Sequence, residues 1–216
     1  MAPVISRRFQ QGLKDSERAS EYNPLQVQSR HLLPNCNHLI LGTEGGYVML
    51  GSLAASHSVF ENRANKCVTM TFKKHQGHVT SSSFNPHSRN VFLTSSIDQN
   101  ACVYSQLQPS PVISLVHSDQ LVKALWSCAN QLHVATATYS GQVALYDIRK
   151  AYMPLAEVNL ARRITDLAFI GIDQLAVSTD KGDVHLLQLS DGFFGGADSA
   201  QVGHVVNSLQ DGIGFE

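Results

Sequence analysis

No stretch of this chain approaches the roughly 18 consecutive apolar residues that a membrane-spanning helix requires, and residues 1–8 (MAPVISRR) lack the apolar centre of a secretory signal. These absences predict a cytoplasmic chain with no membrane insertion. An excess of one charge sign is missing too. With 16 Lys and Arg against 17 Asp and Glu, the formal net charge of −1 creates no long-range field that would gather nucleic acid, which is set aside as a partner. Four cysteines, Cys36, Cys67, Cys102 and Cys128, form no CxxC pair, so neither a zinc knuckle nor a redox dithiol is spelled out. They read as reduced, mostly buried thiols. Of the histidines only His38 neighbours a cysteine, Cys36, and no second pair stands at a ligand-like spacing, so no metal is assigned. A GxxxxGK[ST] phosphate loop is absent, and no nucleophile, base and orienting group stand together. No catalytic residue and no cofactor are assigned, and the chain is read as not an enzyme.

What is present is a composition in the globular range, 43% apolar and 15% charged, and a segment that recurs. It reads TEGGYVMLGS at 43–52, SIDQNACVYS at 96–105, TYSGQVALYD at 138–147 and TDKGDVHLLQ at 179–188. Taking Gly46, Gln99, Gly141 and Gly182 as equivalent, the steps are 53, 42 and 41 residues, the period of a four-stranded propeller blade. Short strand-like runs fill each period. In the second repeat VTSSSF (79–84), NVFLTSS (90–96) and ACVYSQL (101–107) are separated by Asn85-Pro86-His87-Ser88 and Asp98-Gln99-Asn100, which predicts three antiparallel strands. The third repeat gives LVKALWS (121–127), QLHVATAT (131–138) and QVALYDI (142–148), and the fourth ITDLAFI (164–170), QLAVST (174–179) and DVHLLQL (183–189). The first gives HLILGT (38–43) and YVMLGSL (47–53), followed by a charged stretch near 54–76 expected to loop out.

The expected organisation is therefore a flexible or helical leader over 1–30, four blades over 31–190 and a flexible C-terminal tail over 191–216. The leader carries Arg7, Arg8, Lys14, Asp15, Glu17, Arg18, Glu21 and Arg30 and shows no strand-like alternation. Within the tail, VGHVVNSL (202–209) has the apolar content for one added strand or short helix. The fold class is all-β, a β-propeller of about four blades and hence a partial one, because four such repeats do not close a ring comfortably.

Several residues tie this pattern to a family. In the second repeat Gly77-His78 precedes the first strand, Asp98 follows Ser96 at the hairpin, and Tyr104 stands six residues later. This resembles the WD-repeat pattern, which implies a buried hydrogen-bonded set of His78, Ser96, Asp98 and Tyr104 that fixes the register of a blade with little core of its own. Tyr146-Asp147 occupies the Trp-Asp position in the third repeat. A narrower likeness lies in GTEGGYVMLGSLAA (42–55), NPHSRNVFLTSSIDQNACVYSQLQ (85–108) and LVKALWS (121–127), which are similar to the C-terminal blades of dynein intermediate chains, most of all those of the ciliary cytoplasmic dynein 2 class.

That resemblance implies a non-catalytic motor subunit whose propeller clamps a segment of the dynein heavy-chain tail. It further implies other intermediate and light chains in the same complex, retrograde intraflagellar transport and cilium assembly, and a place in the cytoplasm, cytoskeleton and cilium, with its axoneme and basal body. Light-chain binding itself is not carried over, because the family's N-terminal light-chain segment has no counterpart here.

Propeller geometry places candidate protein-contacting residues at one end of the blades, where Glu44, Ile97, Tyr139 and Asp180 open the hairpins and Thr80, Lys123 and Thr165 lie near the start of the first strands. Trp126, the single tryptophan, is expected between blades rather than at an interface. A second function class rests on Tyr146-Asp147-Ile148-Arg149, which resembles the Trp-Asp-x-Arg box of WD-repeat substrate receptors of cullin-type ubiquitin ligases.

Overall fold

The computed structural model describes residues 27–32, 38–52, 68–73, 75–172 and 174–189. They form fifteen β-strands in four antiparallel sheets, each a meander in chain order. The first sheet comprises β1 (Val27–Leu32), β2 (His38–Thr43), β3 (Tyr47–Ser52) and β4 (Val68–Lys73). The second comprises β5 (Val79–Asn85), β6 (Ser88–Ser96), β7 (Asn100–Ser105) and β8 (Ile113–Val116). The third is built of β9 (Leu121–Trp126), β10 (His133–Thr138), β11 (Gln142–Asp147) and β12 (Ala156–Asn159). The fourth shows three strands among the described residues, β13 (Ile164–Ile170), β14 (Gln174–Thr179) and β15 (Val184–Gln188). The expected all-β, four-bladed partial propeller is what the chain forms.

Four strands lie where the sequence predicted none. Strand β1 falls across the expected end of the leader, β4 lies inside the stretch expected to loop out, and β8 and β12 extend blades read as three-stranded. The outer strands escape detection for a physical reason. They touch the body on one face only, so β8 buries Leu115 alone within its four residues and β12 buries none fully. The middle strands show the opposite. Every residue of β10 is buried, because both faces of its sheet are covered, and the sequence His-Val-Ala-Thr-Ala-Thr lacks the apolar-polar alternation of a half-exposed strand.

Adjacent sheets pack through their first strands, β1 on β5, β5 on β9 and β9 on β13. The contacts fix their direction. The Ala124 amide donates to Ser81 Oγ at 3.1 Å, Trp126 Nε1 donates to the Ser83 carbonyl at 3.3 Å and Lys123 Nζ meets Asp166 Oδ1 at 2.6 Å, so neighbouring inner strands run side by side in the same direction, within one residue of equivalent register. Three apolar layers fill the spaces. Phe72, Phe92 and Tyr104 join the first and second blades with ring centroids 5.1–5.2 Å apart. Leu93, Val103, Leu121, Trp126 and Tyr146 join the second and third. Ala137, Leu145, Leu167, Val177 and Leu187 join the third and fourth. Trp126, 3% exposed, lies between blades as its apolar strand implies.

The hairpins between second and third strands share one geometry. Gly46, Gln99, Gly141 and Gly182 have φ of 79°, 70°, 108° and 86°. At Gly46 and Gly141 the chain also has no room for a side chain. A Cβ would stand 2.2 Å from the His75 carbonyl oxygen and 2.5 Å from that of Arg162. Those carbonyls belong to the segments leading into the next blade, so each glycine seats a hairpin against the following connection.

Candidate functional site

The blade network expected around His78 is built by His75 instead. His78 is exposed, and its carbonyl accepts from the Ile97 amide at 3.1 Å. His75, three residues earlier and 1% exposed, turns its Nδ1 to Asp98 Oδ2 at 3.0 Å and its Nε2 to Thr94 Oγ1 at 2.8 Å. A neutral ring donating from Nδ1 and accepting the Thr94 hydroxyl proton at Nε2 satisfies both contacts. Asp98 also accepts the amides of Gln76 at 2.8 Å and Asn100 at 3.1 Å. Burial pushes the Asp98 carboxyl upward, but the Gln76 amide, the His75 ring and the Asn100 amide together hold it below its ordinary range. Ser96 serves the hairpin, accepting the Asp98 amide at 3.2 Å. Tyr104 stacks on Phe92, and its buried hydroxyl finds no hydrogen bond among the described residues. Burial, reinforced by Cys102 and Asp98, pushes that phenol far up.

A sequence signal for His75 was available. His75 stands four residues before Val79, the first residue of β5, and His117 stands four before Leu121, the first of β9. His117 repeats the arrangement, with Nε2 3.0 Å from Thr136 Oγ1 and its ring edge-on to Tyr146 at 5.3 Å. Among the described residues no carboxylate hydrogen-bonds its Nδ1, which lies 3.2 Å from the Leu115 carbonyl oxygen, and Asp119 caps the hairpin through the Ser140 amide at 2.9 Å. Burial lowers the His117 pKa against the pull of the Leu115 and Gln99 backbones.

Asp147 takes no part in that set. Arg149 grips it in a fork, with Nε 3.0 Å from Oδ1 and a terminal nitrogen 2.6 Å from Oδ2, and the Arg149 amide donates to Oδ1 at 2.9 Å. The bonded guanidinium holds the Asp147 carboxyl down at about 2. The pair pins the 3₁₀ turn Ile148–Lys150 to the end of β11.

The candidate contact residues share one end of the sheets, because the start of each inner strand pairs with the residue before the hairpin: Val79 with Ser96, Leu121 with Thr138 and Ile164 with Thr179. Their availability differs. Asp180 is exposed, Glu44 and Ile97 are half-buried, and Tyr139 is 42% exposed with the Arg163 guanidinium 4.1 Å above its ring. Thr80 and Thr165 are engaged with Ser95 and Ser178 hydroxyls at 2.8 and 2.9 Å, and Lys123 with Asp166. The arrangement offers an aromatic and a guanidinium among charged groups, the residue types of a protein contact. Among the described residues no group of three or more His, Cys, Asp or Glu could hold a metal ion, and no helix is long and apolar enough to cross a membrane. Cys102 is buried and Cys128 exposed, a departure at Cys128 from the expectation of mostly buried thiols. Residues 1–26 of the expected leader and 190–216, which include the expected tail, lie outside the described residues.

No family model matches the chain. Among curated proteins it is similar to cytoplasmic dynein 2 intermediate chain 2 of Mus musculus, 31% identical over 166 residues, which is 71% of this chain and 31% of the relative. It is also 36% identical over 118 residues to cytoplasmic dynein 2 intermediate chain 2 of Homo sapiens, covering 52% of this chain and 22% of the relative. The chain thus spans less than a third of the length of the curated relatives it matches.

Proposed function

We propose, on the premise that the chain is related to the dynein intermediate chain family, that it is a non-catalytic subunit of the ciliary cytoplasmic dynein 2 motor, acting in retrograde intraflagellar transport and cilium assembly. In this reading the hairpin end of the blades holds a segment of the dynein heavy-chain tail, other intermediate and light chains complete the complex, and ATP hydrolysis belongs to the heavy chain. The protein works in the cytoplasm and on the cytoskeleton of the cilium, at axoneme and basal body. The 31% identity over 166 residues carries the reading. The stack of radial sheets supports it, since such a body presents a rigid end made of many loops. Tyr139 with Arg163 above it, beside exposed Asp180, supplies the anchor. The ligase-receptor alternative gains nothing from the structure, because Asp147 and Arg149 are accounted for by their grip on each other.

The test is capture of the tagged full chain from ciliated cells, with Tyr139→Ala/Asp180→Lys alongside. Dynein 2 heavy chain should come with the parent chain and fall at least about tenfold with the double variant, as loss of an aromatic anchor implies. Equal recovery with both chains refutes the hairpin-end contact. Recovery of a cullin adaptor without dynein refutes the motor reading.

A further inference from the structure

Most exposed hydroxyl side chains among the described residues are already committed. Thr69 donates to the Leu50 carbonyl at 3.1 Å, Ser118 to Gln142 Oε1 at 3.3 Å, Ser140 meets Thr138 Oγ1 at 3.2 Å and Thr165 meets Ser178 Oγ at 2.9 Å. Thr71 and Ser114 are held within β4 and β8. Ser110 differs from all of these. It lies in the connection from β7 to β8, and among the described residues its one hydrogen bond is made by its carbonyl, which accepts from Gln108 Nε2 at 3.2 Å. The connection itself is open. Leu107, Gln108, Pro109 and Ser110 are exposed in succession, Leu107 at 86%, and Val112 is 54% exposed beyond Pro111. Pro109 and Pro111 have no backbone N–H to give, and bonding to β7 resumes only where the Val112 amide donates to the Val103 carbonyl at 2.8 Å. A cleft can grasp 108–111 without breaking a rung of the sheet.

We propose that Ser110 is a phosphoryl acceptor for a proline-directed protein kinase. The sequence around it selects that class. Of the seven prolines only Pro111 follows a serine or threonine. Three residues before and after Ser110 stand Leu107 and Ile113, so neither a cation nor a carboxylate is there for a kinase that reads charge. Pro111 is what distinguishes the site, since its ring can fill an apolar pocket next to the acceptor and leaves no amide to be satisfied. In the transfer Ser110 Oγ attacks the terminal phosphorus of ATP. The new O–P bond forms as the bond from that phosphorus to the ADP oxygen breaks, ADP leaves, and the hydroxyl proton passes to the kinase's aspartate base. The product carries about −1.5 to −2 charges at neutral pH. It stands between exposed Leu107 and Val112, and turns an apolar tip anionic at the end of the blade opposite its β6–β7 hairpin. The proposal stands whichever partner the hairpin end binds.

The test incubates the full chain with a purified mitogen-activated, proline-directed kinase and MgATP, and maps phosphate by mass spectrometry of the tryptic fragment 90–123. Ser110 of the folded chain should be labelled at a rate within about tenfold of that of a synthetic 104–116 peptide, because no opening of the sheet is required. Ser110→Ala should abolish the label on this fragment. Pro111→Ala keeps the hydroxyl and should slow labelling by at least about tenfold through loss of the ring's contacts. Absence of phosphate on Ser110, or a folded chain slower than the peptide by more than that margin, overturns the proposal. Labelling of Pro111→Ala at a rate nearer the parent's overturns it too, and removes proline as the feature read.

Discussion

The second and fourth blades follow the same plan with opposite means of holding it. In the second, His75, Thr94 and Asp98 link the connection from the first blade, the middle strand and the hairpin into one polar chain, and Tyr104 closes the packing with Phe72 and Phe92. In the fourth, Val177 stands where Thr94 does and Leu187 where Tyr104 does, and among the described residues Thr179 Oγ1 and both ring nitrogens of His185 lack hydrogen-bond partners. The fourth blade is held chiefly by the apolar layer it shares with the third. The difference teaches that the network is a local device for fixing a hairpin. A blade that leans on a well-packed neighbour dispenses with it.

The largest break in that comparison comes from removing the hub of the second blade. Asp98→Ala strips the acceptor from two amides and from the buried His75 ring at once, and stranding such groups should cost about 2–4 kcal/mol of unfolding free energy. Asp180→Ala, one residue past Thr179 in the fourth-blade hairpin and exposed, should cost less than about 0.5 kcal/mol, as an open surface site does. Denaturant unfolding of both variants measures the gap. Equal losses would mean that the network adds nothing to the hairpin it spans.

Acidity sharpens the same contrast at a smaller scale. Asp98 is held below the ordinary carboxylate value near 3.8, so its contribution is fully present above that pH and disappears as pH falls through the depressed folded value. His117 is also depressed, by burial, from about 6.5. The unfolded chain then takes up a proton that the folded chain refuses, and stability contributed by the neutral ring declines as pH falls below 6.5. Between pH 7 and 5 the parent chain should therefore lose stability more steeply than His117→Gln. Parallel pH profiles would remove His117 as the cause.

How much of this was legible in the sequence follows from where burial falls. The period of the hairpins was plain because each demands a left-handed residue between apolar strands, and three of the four carry glycine there. The blade count came with it. The outer strands β4, β8 and β12 were not legible, since they bury one face lightly and look like linkers. The network histidine was misplaced because Gly77-His78 matches a family pattern by its letters. The structure takes the histidine that can reach Asp98 and Thr94, and the offset shared with His117 was the better guide. The contact residues could be assigned to one end from topology alone. That Lys123, Thr80 and Thr165 are already engaged could not, because their partners come from other strands and, for Lys123, another blade.

The smallest expected effect concerns the seam between the networked part and the bare blade. Lys123 on β9 and Asp166 on β13 meet at 2.6 Å with side chains 28% and 60% exposed, the ionic link between equivalent inner-strand positions of the third and fourth blades. A pair that open to water gains little, so a double-mutant cycle with Lys123→Met and Asp166→Asn should return a coupling of about 0.2–1 kcal/mol that shrinks as salt is raised. A coupling above about 2 kcal/mol, unchanged by salt, would show that the fourth blade is fastened by charge and not by the layer of Leu167, Val177 and Leu187. With a small coupling the apolar layer of Leu167, Val177 and Leu187 carries the seam.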